Sequence, residues 1–149
     1  MSDFFSHYPL ANLWHRFWLY LSYLPMLPQW RPIFLRLGGV KCGRSVIYGN
    51  VRFDAVCPEL IQIGNHVAIT SGARILTHFF DPNTPGVYFK RGKVIIEDDV
   101  FIGLNVVICS SVRIGRGAVV GAGSIVTKDI PPYEVWAGNP AHLIKKRVH

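Results

Sequence analysis

Apolar residues recur at every sixth position along the C-terminal part of the chain. The first positions of this repeat are Ile96, Ile102, Ile108, Ile114, Val120 and Val126. The residues four places after them are also small or apolar: Val100, Val106, Val112, Ala118, Ser124 and Ile130. An α-helix repeats every 3.6 residues and a half-buried strand every two, so neither produces this spacing. A parallel β-helix does, because each hexapeptide forms one flat side of a coil and turns its first residue inward.

The repeat weakens toward the N-terminus and is interrupted once. It continues upstream at Ile63, Ile69 and Ile75, and it begins weakly and out of phase at Val40, Val46 and Val51. Ile75 and Ile96 lie 21 residues apart, which is not a multiple of six, so the pattern predicts an extruded loop over residues 79–92. Pro131-Pro132 offers no amide to a strand ladder. We therefore expect an all-β solenoid over residues 39–132, followed by a tail over 133–149 with a short strand and turn.

Residues 1–38 differ from this repeat and are rich in aromatic side chains. The pattern predicts one helix over residues 10–21, ended near Pro25, and a second over 31–37 with Pro32 in its first turn. This segment either caps the end of the solenoid or lies in a membrane interface, where Trp and Arg are favoured, and the two roles are compatible. Residues 1–36 are thus the candidate peripheral membrane contact. The apolar run over 17–27 is shorter than the ~20 residues that span a bilayer.

The composition of the chain limits the classes of partner that it can bind. The 149 residues are 50% hydrophobic and 17% charged, with a formal net charge of +7. That excess attracts nucleic acid, anionic lipid or a phosphorylated cofactor. No zinc-finger spacing, RNA-binding aromatic motif or dense run of basic residues is present, so we expect no nucleic-acid partner. Three widely spaced cysteines without a CxxC pair favour a reducing cytoplasm over a disulfide scaffold or a zinc site.

Two stretches resemble a known family. Residues 114–132, IGRGAVVGAGSIVTKDIPP, and residues 137–141, AGNPA, resemble the hexapeptide-repeat acyltransferases, in particular the galactoside, maltose and polysaccharide O-acetyltransferases. The aromatic N-terminal segment that ends in LGGVKCG is similar to the opening of the polysaccharide-modifying members. The resemblance implies a left-handed parallel β-helix of triangular section. It also implies a homotrimer with acetyl-CoA bound in the groove between neighbouring subunits.

His78 is the candidate catalytic residue. It ends the Ile75-Leu76-Thr77-His78 repeat where the predicted loop leaves the coil, and the resemblance places the family's catalytic histidine at this root. Imidazole suits a general base because it titrates near neutral pH. A second group must orient the ring, and the candidates are a backbone carbonyl, Asp54, Asp81 and Glu97.

The resemblance also implies binding residues for both substrates. The positions implied for acetyl-CoA are Gly103, Gly121 and Ala122 along pantetheine, Thr127 and Lys128 at its far end, and Lys145 near the phosphates. Lys145 belongs to a basic cluster with Lys146 and Arg147, for which a solvated chain end is the alternative interpretation. The positions implied for the acceptor are Asn50, Asp54, Asp81 and Phe101. For Asn50 and Asp54 the alternative interpretation is a polar residue at a coil corner.

Together these features predict an acetyltransferase that moves an acetyl group from acetyl-CoA to a sugar hydroxyl, with His78 as base. We expect it to act in surface-polysaccharide synthesis, in the cytoplasm, with the inner face of the membrane as the candidate location. An amino-sugar N-acyltransferase, a serine O-acetyltransferase and a non-catalytic binding module are the alternatives. A zinc enzyme on the same fold needs three histidines. His66 and His78 have no third partner within the repeat, so no metal is expected.

Overall fold

A computed structural model describes residues 11–24, 27–80, 83, 85, 88–109 and 111–148. Its strands wind into four parallel coils with three strands each. The first coil contains β1 (Lys41–Cys42), β2 (Val46–Ile47) and β3 (Arg52–Phe53), and the second contains β4 (Ile61–Ile63), β5 (Ala68–Ile69) and β6 (Arg74–Ile75). Then come β7 (His78–Phe80) and β8 (Phe89–Arg91), followed by the third coil with β9 (Val94–Ile96), β10 (Phe101–Ile102) and β11 (Val107–Ile108). The fourth coil contains β12 (Val112–Ile114), β13 (Val119–Val120) and β14 (Ile125–Val126), and β15 (Glu134–Ala137) and β16 (His142–Lys146) follow it.

Strands of the same rank stack into three parallel sheets. Sheet A contains β1, β4, β9 and β12, and sheet C contains β3, β6, β11 and β14. Sheet B contains β2, β5, β10 and β13 and continues into β15 and β16. The solenoid thus has three flat sides and three corners, named A–B, B–C and C–A after the sheets they join. This confirms the parallel β-helix that the six-residue period predicts.

Isoleucine and valine fill the interior. The inward residues Ile63, Ile69, Ile75, Ile96, Ile102, Ile108, Ile114, Val120 and Val126 are all buried. They stack in register from coil to coil, as Ile75, Ile108 and Val126 do in sheet C. A stack of this kind buries each branched side chain against the ones above and below it. Burial of one such side chain contributes about 1.5–3 kcal/mol, so the stack is the main source of stability.

The first coil corrects one detail of the predicted phase. Ile47 is buried and pairs in register with Ile69, whereas Val46 is 39% exposed. Val46 therefore does not point inward as predicted. Cys42 and Ile47 are only five residues apart, one fewer than the repeat requires, and both Val46 and Ile47 are apolar. Hydrophobicity alone gives no means to choose between them.

Two corners are tight and regular. The A–B corner uses left-handed backbone at His66, Asp99, Gly117 and Tyr133. The B–C corner uses it at Asn50, Gly72, Asn105, Gly123 and Gly138. Glycine and asparagine tolerate this conformation best, which explains much of their placement along the chain.

The C–A corner is the irregular one. The chain takes ten residues from Phe53 to Ile63, with a 3₁₀ turn over Pro58–Leu60, and 21 residues from Ile75 to Ile96, where the repeat requires six. The second insertion contains the antiparallel pair β7–β8, which we call the arm. The predicted loop over 79–92 is therefore partly a hairpin. Both insertions leave the coil at the same corner.

The C-terminal end continues the stack beyond the two prolines. Ile130 bridges to Ile114, and β15 pairs in parallel with β13. The solenoid thus extends past the predicted boundary at residue 132. β16 then folds back antiparallel on β15 and forms the predicted strand and turn of the tail.

Two helices cover the first coil: α1 (Ala11–Ser22) and α2 (Arg31–Leu37). Leu19 and Leu35 are buried in the same core cluster as the coil interior. The Tyr23 hydroxyl donates to the Phe53 carbonyl (3.2 Å) and accepts from the Phe53 amide (3.3 Å), which satisfies an edge strand that has no neighbouring coil. The segment therefore caps the solenoid. No helix among the described residues is long and apolar enough to cross a membrane.

Candidate active site

His78 and Asp54 meet at the C–A corner. His78 opens the arm directly after β6, and Asp54 follows β3 in the preceding coil. Phe53 and Ile75 are register partners in sheet C, so the residues that follow them leave the sheet side by side. Asp54 Oδ2 lies 2.5 Å from His78 Nδ1. The two insertions thus bring an acid and an imidazole together from positions 24 residues apart in the sequence.

Asp54 is held by a closed set of hydrogen bonds. Its Oδ1 accepts from the Val56 amide (2.8 Å), and its Oδ2 accepts from the Thr77 amide (2.8 Å) and the Thr77 hydroxyl (2.7 Å). Both residues are buried, Asp54 at 4% exposure and Thr77 at 0%. The carboxylate therefore faces the protein and His78. Of the two roles predicted for Asp54, this geometry matches the orienting partner of His78, and its contact with an acceptor stays a prediction.

These bonds determine the charge of the acid. Burial alone raises the pKa of Asp54, but the hydrogen bonds from Val56, Thr77 and His78 outweigh it, so the pKa lies below its ordinary value. Asp54 is thus an anion at neutral pH and can only accept hydrogen bonds. His78 must then donate from Nδ1, which leaves Nε2 with its lone pair available. This is the tautomer that a general base requires.

The His78 ring stands at the edge of solvent. Its side chain is 28% exposed, and the Phe89 ring of β8 contacts it edge-on at 5.8 Å between centroids. The arm therefore covers one side of the imidazole and leaves another open. The imidazole is thus partly accessible to another molecule.

Glu97, another candidate partner of His78, is not in contact with it. Glu97 lies at the A–B corner, where it accepts from Arg113 (2.6 Å) and from the Arg116 amide (2.9 Å). Asp81 lies outside the described residues. The role of Thr77 was not predicted from the sequence, although a β-branched hydroxyl residue next to a candidate base was the available signal.

Thr127 and Lys128 follow the same edge of sheet C as His78. Leu76, Cys109 and Thr127 come directly after the stacked inward residues of β6, β11 and β14. Coils stack at the strand spacing, so Thr127 lies two steps, roughly 10 Å, from Leu76. Lys128 is exposed beside Thr127. Two positions implied for CoA thus share an edge with the candidate base.

The small residues implied for pantetheine lie at the B–C corner, on the other side of sheet C. A Cβ on Gly103 would come within 2.6 Å of the Ala122 nitrogen, and one on Gly121 within 2.8 Å of the Ala137 Cβ. Their absent side chains therefore allow successive coils to approach closely. This packing role is independent of any ligand.

The remaining predicted residues are dispersed. Asn50 is exposed at the B–C corner with φ 59°, at the opposite end of β3 from Asp54. Phe101 is exposed on the outer face of sheet B between Ala68 and Val119. Lys145 is exposed on β16 and borders a concave surface of about 460 Å³ together with Lys146 and Arg147. Within one chain, none of them is shown beside His78.

Among the residues that the structure describes, no three His, Cys, Asp or Glu side chains come together as a metal site would require. His66 lies at the A–B corner, a different corner from His78, and contacts Asp99 at 3.3 Å with both side chains exposed. Cys42, Cys57 and Cys109 are all thiols.

Comparison with known proteins gives a consistent result. The family model for the hexapeptide repeat of succinyl-transferase matches residues 93–128. A galactoside O-acetyltransferase of Lactococcus lactis is 36% identical over 124 residues, which is 79% of this chain and 58% of that protein. A tetrahydropyridine-dicarboxylate N-acetyltransferase of Staphylococcus aureus is 46% identical over 83 residues, which is 56% of this chain and 32% of that protein.

The chain also resembles a solved structure. A galactoside acetyltransferase in complex with coenzyme A superposes with a TM-score of 0.69 at 25% identity, over 91% of this chain and 80% of that one. The likeness confirms the left-handed hand of the β-helix. The chain spans about three fifths and one third of the length of the two curated relatives.

Proposed function

The chain belongs to the hexapeptide-repeat family of left-handed β-helical proteins, and from that membership we propose that it is a CoA-dependent acetyltransferase. It transfers an acetyl group from acetyl-CoA to a hydroxyl of a sugar. The observation that carries the proposal is the buried Asp54 carboxylate on Nδ1 of His78. That contact leaves the other ring nitrogen as a base at the open edge of the solenoid.

The proton path follows from this arrangement. His78 Nε2 accepts the proton of the sugar hydroxyl as its oxygen attacks the thioester carbonyl, and the carbon–sulfur bond then breaks. The same nitrogen returns the proton to the CoA thiolate, so the products are an O-acetyl sugar and CoA. Asp54 stays ionised throughout and stabilises the transient imidazolium. Asp54 is a positioning residue, whereas His78 handles the reacting proton.

We propose that acetyl-CoA binds along the edge that continues from His78 to Thr127 and Lys128. An ammonium group suits a phosphate or a polar amide at the far end of the cofactor. Lys145 and its basic neighbours offer further cations at the C-terminal end of sheet B. The complex of the galactoside acetyltransferase with coenzyme A supports this choice of donor.

The acceptor class rests on the relatives. The likeness to the galactoside O-acetyltransferase supports a sugar hydroxyl as the acceptor. We extend this proposal to a role in surface-polysaccharide synthesis. The likeness to the N-acetyltransferase, at 46% identity over 83 residues, supports an amine acceptor as the second candidate. Both reactions need the same base, so the Asp54–His78 pair fits either. Asn50 and Phe101 remain proposed acceptor contacts.

We also infer that the active unit is a homotrimer with sites between subunits. Large apolar side chains remain exposed on the outer sides of the coils, including Leu76, Phe101 and Leu104. Such side chains suit burial between subunits better than contact with water. Asn50 and Phe101, remote from His78 in one chain, would approach it only from a neighbouring subunit. The thiol state of the cysteines suits a cytoplasmic location.

Thiol release from acetyl-CoA tests the function. The protein is incubated with acetyl-CoA and a panel of sugars and amino sugars, and the free thiol is measured. His78→Ala should lower turnover by ~10²–10⁴ while calorimetry shows unchanged binding of acetyl-CoA. His66→Ala is the matched control, because that exposed histidine also contacts a carboxylate but lies at another corner. Equal turnover in the wild type and His78→Ala would remove His78 from the mechanism.

A further inference from the structure

The first third of the chain has an unusual charge distribution. Between Phe4 and Phe53 the sequence contains no Asp or Glu. The same stretch contains six basic residues: Arg16, Arg31, Arg36, Lys41, Arg44 and Arg52. This region forms the capping helices and the first coil. The charged residues at this end of the solenoid are therefore all basic, and none of them belongs to the proposed acetyltransferase site.

Helix α1 also carries large apolar side chains on the side that faces away from the first coil. Leu19 and Ser22 are its buried positions, and they face the first coil. The outer side carries Leu13, Trp14, Phe17 and Tyr20, each between 54% and 68% exposed. We call these four residues the outer face of α1. Leu13, Phe17 and Tyr20 follow i, i+4, i+7 spacing, so they form one continuous stripe.

The outer face is built from rigid aromatic groups. The Trp14 and Phe17 rings both contact the Trp18 ring edge-on, at 5.4 Å and 5.3 Å between centroids. Trp18 in turn contacts Phe34 of α2 at 6.1 Å. The exposed rings are therefore fixed on the cap before any partner binds. A preformed surface loses little side-chain entropy on binding.

Cations border this face. Arg16 and Arg52 line a groove of about 690 Å³ together with Leu13, Phe17 and Tyr20. The Arg52 guanidinium also stands over the Tyr23 ring at 5.0 Å. Apolar side chains flanked by arginines match the two layers of a lipid surface, with acyl chains below and anionic headgroups above.

We propose that the outer face of α1 binds the surface of an anionic lipid bilayer. The helix lies in the interface, with its aromatic side chains among the headgroups and upper acyl chains, and Arg16 and Arg52 meet lipid phosphates. A second copy of this chain is the poorer partner, because two such faces would bring the same cations together with no acid to neutralise them. Helix α1 has 12 residues and is therefore too short to span the bilayer.

Vesicle sedimentation of the full chain tests this proposal. The protein is mixed with vesicles of phosphatidylglycerol and phosphatidylcholine in equal parts, or of phosphatidylcholine alone. We expect partitioning to the anionic vesicles that weakens with added salt. Trp14→Ser with Phe17→Ser should reduce partitioning by at least about tenfold. Arg16→Gln should reduce it by about fivefold, the equivalent of one basic residue at the surface.

Controls separate this result from other outcomes. Leu143→Ser with Ile144→Ser removes two comparably exposed apolar side chains on β16 and should leave partitioning unchanged. Failure to bind either vesicle, or equal loss in the β16 control, would overturn the proposal. The proposal would also be overturned if the lipid-free protein formed a larger assembly that Trp14→Ser with Phe17→Ser dissociates. A second copy of the chain would then cover the outer face of α1. Acetyl transfer to a soluble sugar is measured in parallel, and its loss would not affect this inference.

Discussion

Replacing Asp54 with asparagine tests the core of the proposed mechanism with minimal change in shape. The carboxylate accepts four hydrogen bonds, one on Oδ1 and three on Oδ2. An amide offers one acceptor oxygen and one NH₂ group. In either orientation the NH₂ faces a donor, the Val56 amide on one side or the Thr77 amide on the other. The variant therefore loses both the charge and at least one satisfied contact.

The expected magnitudes follow from that geometry. When the NH₂ group faces His78, it donates to Nδ1 and forces the imidazole proton onto Nε2, where the base is needed. Loss of the correct tautomer and of the stabilised imidazolium should lower kcat by ~10²–10⁴. A buried polar group left without a partner costs about 1–3 kcal/mol, so the free energy of unfolding should fall by that amount. Binding of acetyl-CoA should be unchanged.

The assay combines thiol release, calorimetry and urea unfolding on Asp54→Asn and a matched control. Asp99→Asn is the control, because Asp99 contacts His66 at 3.3 Å with its side chain 51% exposed. We expect wild-type turnover and stability within about 0.5 kcal/mol for the control. Wild-type kcat in Asp54→Asn would refute the positioning role, even if stability fell. Loss of stability alone would assign Asp54 to the fold.

Three further predictions concern stability and reactivity. The stability advantage of the wild type over Asp54→Asn should be full above the ordinary Asp pKa of about 3.9 and disappear as pH falls through the lowered folded pKa, which urea unfolding across pH measures. Gly103→Ala should lower the free energy of unfolding by about 1–3 kcal/mol, because its Cβ would meet backbone atoms at 2.6 Å and 2.8 Å, whereas Gly49→Ala, whose Cβ would meet only the Arg31 guanidinium at an ordinary contact distance of 3.7 Å, should stay near wild type. Burial raises the pKa of Cys42 to about 11, so iodoacetamide at mildly alkaline pH should leave it unmodified in the folded protein and label it after unfolding, as mass spectrometry would show.

The regular coils could be predicted from the sequence because each inward position repeats a local requirement. Ile96, Ile102 and Ile108 meet the same environment six residues apart, so the period reports the fold directly. The first coil lacks this redundancy. Its A–B side is one residue short, and the choice of Ile47 over Val46 depends on the α2 cap and on the neighbouring coil.

The partner of His78 was beyond sequence reasoning for a related reason. Asp54 and Glu97 are both acids near a coil end, and only the stack shows that they occupy different corners. Glu97 is neutralised by Arg113 at the A–B corner, whereas Asp54 shares the C–A corner with the imidazole. The distance along the sequence does not identify the partner, since the insertion between the second and third coils separates His78 from Glu97 by the residues of the arm. Register between coils, not proximity in the chain, selects the pair.

The corner that breaks the repeat is also the corner that holds the candidate chemistry. Parallel stacking requires each strand to return to the same register, so extra residues are tolerated only where they can leave the coil. The A–B and B–C corners are closed by single left-handed residues such as Asn50 and His66, which leaves no room for longer excursions. The described insertions both lie at the C–A corner, and they supply Asp54 and the arm that carries His78. In such a solenoid the rigid coils fix the two points at which Asp54 and His78 leave sheet C. The insertions then carry residues that are not needed for stacking of the coils.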